Sequence, residues 1–169
     1  MNTERLLRLA RMTIEAAPSC VAITIDRNGN ANARVVNPSQ LSPVWTVRFM
    51  TDRRTRKFAE ISHNGRLTLV YYDAAGGAYV TLVGAATIIE DAAVKRAIWQ
   101  PASYRWHPGG PDDPNVVLVE FFAERLETWN TPEGVVPDAT KGLWAAVLVR
   151  EGPGWRYAGS TQEPDVKHG

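Results

Sequence analysis

The segment Asp26-Arg27-Asn28-Gly29-Asn30 constrains this chain more than any other stretch. Before it, Val21, Ile23 and Ile25 alternate with Cys20, Ala22 and Thr24; after it runs Ala31 to Val36. Period-two alternation marks a strand with unlike faces. Asn-Gly between two such runs favours a hairpin, because both residues tolerate positive φ. An antiparallel pair over 20–25 and 31–36 follows.

The same logic extends outward. Leu6, Leu9, Ala10, Met12, Thr13 and Ile14 share one broad face of a helix from Thr3 to Ala16, with Thr3 as cap and Pro18 beyond its end. Past Pro38 and Pro43, Trp45, Val47, Phe49 and Thr51 alternate with Thr46, Arg48 and Met50, predicting a third strand. A short helix comes next, with Phe58, Ile61 and Ser62 at helical spacing and Asn64-Gly65 as its stop. Arg66 to Asp73 is a fourth strand, Ala74 to Gly77 a turn, and Ala78 to Glu90 a long strand whose Gly84 marks a bulge or bend. A helix from Asp91 to Trp99 is expected to bury Ala93, Ala97 and Ile98. The Pro- and Gly-rich stretch Pro101 to Asn115, bordered or occupied by Trp99, Tyr104 and Trp106, must be loop, and long ordered loops are often functional. Val116 to Phe122 and Arg125 to Trp129 are extended. A second loop spans Thr131 to Thr140, a last hairpin joins Leu143–Arg150 to Trp155–Ala158, and the tail after Ser160 is expected to fray. Six or more antiparallel strands with three short helices predict one mainly β domain over 1–169, closed or nearly closed into a barrel with helices at its ends.

Composition narrows the function. A net charge of +1 gives no reason to expect general nucleic-acid or membrane-surface binding. No apolar run approaches the roughly 20 residues of a membrane span. Cys20, the only cysteine, cannot form an intrachain disulfide, so a reducing, cytoplasmic setting and a buried thiol are expected. His63, His107 and His168 lack metal-ligand spacing, and no serine sits in a nucleophile motif. Asp112-Asp113 reads as turn chemistry.

One stretch is electrostatically odd. Four cations, Arg53, Arg54, Arg56 and Lys57, fall where the second helix begins. A helix N-terminus is partly positive and favours anions, so cations there call for something negative. Amides, hydroxyls and guanidinium forks suit a phosphate. Arg34, on the strand before, can converge with Thr51, Thr55, Arg56 and Lys57 on one phosphate; a solvated basic helix start is the alternative.

The ordered series Ala33-Arg34-Val35-Val36, Val47-Arg48-Phe49-Met50-Thr51 and Thr55-Arg56-Lys57, then Ile61 and Asn64, resembles the FMN-binding split-barrel family typified by pyridoxamine 5'-phosphate oxidase. Tyr71-Tyr72-Asp73, Tyr79 through Gly84, Trp99 before Pro108-Gly109 and Asp113-Pro114, and Glu127-Thr128-Trp129 resemble its general-stress-protein-like branch. The resemblance covers about residues 5 to 160. It implies a six-stranded antiparallel split β-barrel that forms a homodimer, with FMN in grooves between the subunits. Arg34, Val35 and Val36 would line the flavin and its ribityl chain, and Met50 and Thr51 the ring and ribityl end. Arg56 and Lys57 would hold the phosphate, with Thr55 where the family usually has Ser. Trp99 and Trp129 would wall the ring pocket, from either subunit, or else serve as core or interface aromatics.

Two departures shape the expected activity. Tyr79 stands where the oxidase places a Gln that reaches the flavin, and Trp155 to Gly169 holds no Arg-x-His element. Vitamin B6 oxidation is therefore not expected. The resemblance implies an FMN-dependent oxidoreductase exchanging electrons between a small-molecule donor and acceptor, with no catalytic residue identified. A non-catalytic protein that binds or senses a flavin, a deazaflavin or haem is the rival.

Overall fold

The computed structural model describes residues 2–135 and 145–160. It contains α1 (Thr3–Ala16), β1 (Cys20–Ile25), β2 (Ala31–Val36), β3 (Thr46–Asp52), α2 (Arg56–Asn64), β4 (Arg66–Asp73), β5 (Ala78–Ile89), α3 (Ala92–Ile98), a short 3-10 helix (Pro101–Arg105), β6 (Val116–Asn130), β7 (Ala146–Glu151) and β8 (Gly154–Ser160). Residues 136–144 and the tail beyond Ser160 lie outside the described residues. With them go the second half of the 131–140 loop, the start of the expected last hairpin and the expected fraying.

The opening hairpin forms as the sequence predicts, pairing Ala22 with Arg34. Its connection is wider than a two-residue turn. Asp26 Oδ1 accepts the amides of Asn28 and Asn30 at 2.8 and 2.9 Å, and Gly29 takes φ 83°. An aspartate folding its carboxylate over the following amides is a turn in its own right.

The mainly β fold is borne out, with eight antiparallel strands in the order β2-β1-β4-β5-β6-β7-β8 and β3 also on β6. The split lies in β6. One edge of this long strand pairs with β5 from Leu118 to Asn130. The other serves β3 along Val116–Phe122 and then β7 along Arg125–Thr128. The two extended runs expected on either side of Ala123 are thus one strand, and the register shift falls at Gly84, opposite Ala123. The family barrel's six strands are exceeded by two.

The core lies on the inner side of this curled sheet. Leu67, Leu69 and Tyr71 of β4, Val80 and Leu82 of β5, and Phe121 and Leu126 of β6 are all buried there, with Leu6, Leu9, Ala10 and Ile14 of α1. Burying a leucine contributes about 1.5–3 kcal/mol, so this stripe is what fastens α1 to the sheet. Cys20 is buried as expected, and burial pushes its thiol up to about 11.

Five local expectations are corrected. Asn2, not Thr3, caps α1, accepting the amides of Glu4 and Arg5 at 2.9 and 3.3 Å. Met12 lies beyond the edge of the buried stripe and is 52% exposed. Trp45 stays outside β3: it takes φ 64° with its ring buried edge-on against Trp155 at 5.4 Å and Arg11 above it, and its carbonyl accepts the Ala123 amide. In α3 the inward residue is Lys95, while Ala93 and Ala97 are exposed; in α2, Glu60 and Ile61 are buried and Ser62 is not. The cause is polar. Lys95 Nζ donates to the carbonyls of Asp113 and Val116 at 3.2 and 2.8 Å, a better use of a buried position than an alanine methyl offers when nearby carbonyls need donors. No described helix is long and apolar enough to cross a membrane.

Candidate functional site

β1 turns Cys20, Ala22 and Thr24 inward, and β2 turns Asn32, Arg34 and Val36. Thr24 and Arg34 therefore meet at the end of the hairpin, where α2 crosses. Glu60 of α2 is 5% exposed and receives four donors. Thr24 Oγ1 hydrogen-bonds to it, Asn32 Nδ2 donates at 2.8 Å, Arg34 Nη2 at 3.1 Å, and Arg56 Nε lies at 3.3 Å. Arg34 also donates to Thr24 Oγ1 and to the Asn32 carbonyl. Burial raises the Glu60 carboxyl, but the Thr24 and Arg34 hydrogen bonds and the charges of Arg34 and Arg56 outweigh it, leaving the group below its ordinary value. One carboxylate is shared by two guanidiniums, so the cluster keeps a positive excess.

The crowded cations at the start of α2 sort themselves. Arg53 pairs with Glu90 at 3.1 Å, Arg54 with Asp52 at 2.6 Å, and Arg56 with Glu60. The Arg54 hydrogen bond leads the causes that hold Asp52 at about 2. Lys57 differs. Its ammonium donates to Thr51 Oγ1 at 2.6 Å, and among the described residues no carboxylate lies within ion-pair distance. Burial, then the Arg34 charge, lowers its pKa. Thr55 Oγ1 stands 3.4 Å from Thr51 Oγ1, donates to the Asp52 carbonyl and caps Phe58 N at 3.5 Å. The amides of Arg56 and Lys57 have no acceptor among the described residues. A desolvated ammonium, two hydroxyls and unspent helix amides form a donor set of the kind a phosphate needs.

Thr51, Thr55 and Lys57 belong to the lining of an open groove of about 1500 Å³. Its sides are the outer face of β3, the 37–44 loop and the segment from Ala97 to His107. It exceeds the roughly 300–1,000 Å³ of an ordinary small-molecule site. Its donor set at Lys57, Thr51 and Thr55 suits a phosphate.

The predicted residues fall into three groups. Val35, Val36, Met50, Thr51, Thr55 and Lys57 all line the groove. Arg34 and Arg56 stand behind its basic end, joined through Glu60, and do not line it. Trp99 and Trp129 are not brought to it within one chain. Trp99 packs edge-on against Tyr104 at 5.2 Å, with its indole N–H buried and unpartnered. Trp129 is at the far end of β6, stacked on Tyr79 at 6.3 Å and donating to Thr131. Among the described residues no cluster of His, Cys, Asp and Glu could hold a metal ion.

Glu60, Thr24 and Asn32 escaped the sequence reading, as did the groove-lining His107 and the Arg48–Glu120 pair, 2.5 Å apart across β3 and β6, while Trp106, from the aromatic loop the sequence singled out, lines the groove. Glu60 had a usable signal: it lies four residues after Arg56, one helical turn on. Thr24 was on the buried side of the alternation. Nothing local marked His107, because loop geometry alone brings it to the groove.

Known proteins agree with this architecture. General stress protein 26 of Bacillus subtilis is 36% identical over 91 residues, covering 52% of this chain. The matched region spans 64% of that protein's length. A solved protein from Clostridium acetobutylicum, described as related to general stress protein 26, superposes with a TM-score of 0.67 at 23% identity, covering 76% of this chain and 91% of its own. A pyridoxamine 5'-phosphate oxidase-related, FMN-binding protein from Nostoc punctiforme superposes at 0.66 and 16% identity, covering 96% and 99%. The pyridoxamine 5'-phosphate oxidase like family matches residues 8–151, nearly all of the barrel. The chain belongs to the pyridoxamine 5'-phosphate oxidase like family.

Proposed function

We propose that this chain is a cytoplasmic flavoprotein whose groove binds FMN and that acts as an oxidoreductase. The observation that carries this reading is the Lys57 ammonium, free of any carboxylate among the described residues, lining a groove together with Thr51 and Thr55. Lys57, Thr51, Thr55 and the first amides of α2 would hold the phosphate. Val35, Val36 and Met50 would border the ribityl chain and ring. Arg34 and Arg56, tethered by Glu60, add long-range positive charge and keep α2 seated. Bound flavin supplies hydride or electron transfer between a small-molecule donor and acceptor, while the protein binds it, orients it and sets the local field. That division is consistent with a site that needs no nucleophile.

In the same reading two copies of the chain pair across the groove. Val35, Val44 and Trp106 on its rim are 67%, 61% and 64% exposed, and a second copy would cover them. Trp129, remote from its own groove, is then available to the other one.

Arg56→Ala combined with Lys57→Ala is expected to weaken FMN binding by roughly 10- to 100-fold, the worth of one or two charge-assisted hydrogen bonds. Riboflavin, which lacks the phosphate, should lose little. Titration of the parent and the double variant with both flavins, followed by flavin fluorescence, checks this, and an FMN affinity within about threefold of the parent would remove the phosphate site.

A further inference from the structure

His107 reaches the groove from a loop that is firmly held. Its amide donates to the Ser103 carbonyl at 2.9 Å, and its carbonyl accepts from Gly110 at 3.0 Å. Lys95 ties Asp113 and Val116 to α3, and Arg96 pairs with Asp112. The imidazole tilts against Trp99 with ring centroids 6.3 Å apart. Among the described residues neither ring nitrogen has a hydrogen-bond partner, although the side chain lines the same groove as Thr51, Thr55 and Lys57. A positioned imidazole with unspent nitrogens in a binding groove is available to a ligand.

Its electrical surroundings come from three directions: Asp52 at the end of β3, Lys57 of α2 and Asp113 of its own loop. Burial lowers its pKa most, Lys57 lowers it further, and the two aspartates oppose without prevailing. Asp52 is already engaged by Arg54. The ring is therefore largely neutral near pH 7 and poorly matched to a neighbouring ammonium. An anion placed between Lys57 and His107 reverses that, because it neutralises the repulsion and rewards the protonated ring.

We propose that His107 is a further phosphate-binding residue of the groove, taking up a proton from solvent when a phosphate monoester docks beside Lys57. This rests on the reading of that corner as a phosphate site, and for a given charge state of the phosphate it makes the affinity rise as the pH falls from the midpoint of the ligand-bound imidazole to that of the free one. Metal binding is not involved. The proton enters from water and leaves to water on release, so no redox partner is needed.

Proton NMR of the imidazole tests it in the intact chain, with His107→Gln used only to identify the resonance. The titration midpoint is read for the free protein and with saturating inorganic phosphate, FMN or riboflavin. The expected result is an upward move of about one pH unit with inorganic phosphate, with FMN, or with both, and none with riboflavin. At the phosphate concentration that just saturates the parent, Lys57→Ala should shrink the move by lowering phosphate occupancy. A midpoint unmoved by both phosphate and FMN, or moved equally by riboflavin, overturns the role. A move with inorganic phosphate while FMN shows no binding leaves the role of His107 standing and defeats the flavin reading alone.

Discussion

Glu60→Ala is expected to cost about 2–3 kcal/mol of stability and to loosen the basic end of the groove. The carboxylate is nearly fully buried, and Arg34 beside it is 20% exposed. Removing Glu60 leaves a half-buried guanidinium without its acid and leaves Thr24, 1% exposed, without its acceptor. Breaking a buried pair from one side is worse than lacking the pair, because the remaining charge keeps its desolvation penalty. Some of that penalty is relieved here, since Arg56 reaches solvent and Arg34 keeps the Asn32 carbonyl. The difference should also depend on pH. The folded-state pKa of Glu60 is depressed, so its stabilisation is complete above the unfolded value near 4.3 and fades as the pH falls through the lower folded value. Urea unfolding from pH 7 down to pH 3 should show the gap between parent and variant narrowing at the acid end. A constant gap, or one below about 0.5 kcal/mol at neutral pH, would mean that the cluster is a solvated surface pair.

Gly84→Val should be more damaging and is expected to prevent stable folding. At this position β5 shifts register against β6, and a Cβ would run into the Phe122 carbonyl oxygen. It would also come within 3.0 Å of the Phe122 carbonyl carbon and 3.1 Å of Ala123 Cα. These are backbone atoms of the strand that also carries β3 and β7, so relief would mean moving the whole split. Losses above about 4 kcal/mol arise from this kind of obstruction. Gly152→Ala provides the contrast. Gly152 has φ 57° but nothing within 4 Å of its Cβ position, so only the left-handed backbone preference is lost, about 1–2 kcal/mol. Comparable melting temperatures for the two variants would show that the bulge can move.

The two glycines also show what could be read from residues alone. Gly84 interrupts a β-rich run, and an isolated glycine there signals a bulge or close approach, so its role was visible before any coordinates. The hairpin around Gly29 was visible for the same reason. Short-range rules reached the strands, the helix α2 with its stop at Gly65, and the groove-lining Thr51, Thr55 and Lys57. They failed where a long-range partner decided the outcome. Lys95 is buried because two carbonyls from residues 113 and 116 await it, and Trp45 leaves its strand because Trp155 and Arg11 enclose its ring. Arg34 looked like a direct phosphate ligand because Glu60, which occupies it, belongs to a different element. His107 was invisible because a loop's path is set by contacts distant in sequence.

The most direct measurement is a spectroscopic titration of the purified chain with FMN and riboflavin in parallel, with deazaflavin and haem as comparison ligands. FMN is expected to bind at micromolar concentration and at least about tenfold more tightly than riboflavin, the difference being the phosphate held at Lys57, Thr51 and Thr55. Equal affinity for FMN and riboflavin, or binding of haem alone, would contradict a phosphate-anchored flavin in this groove.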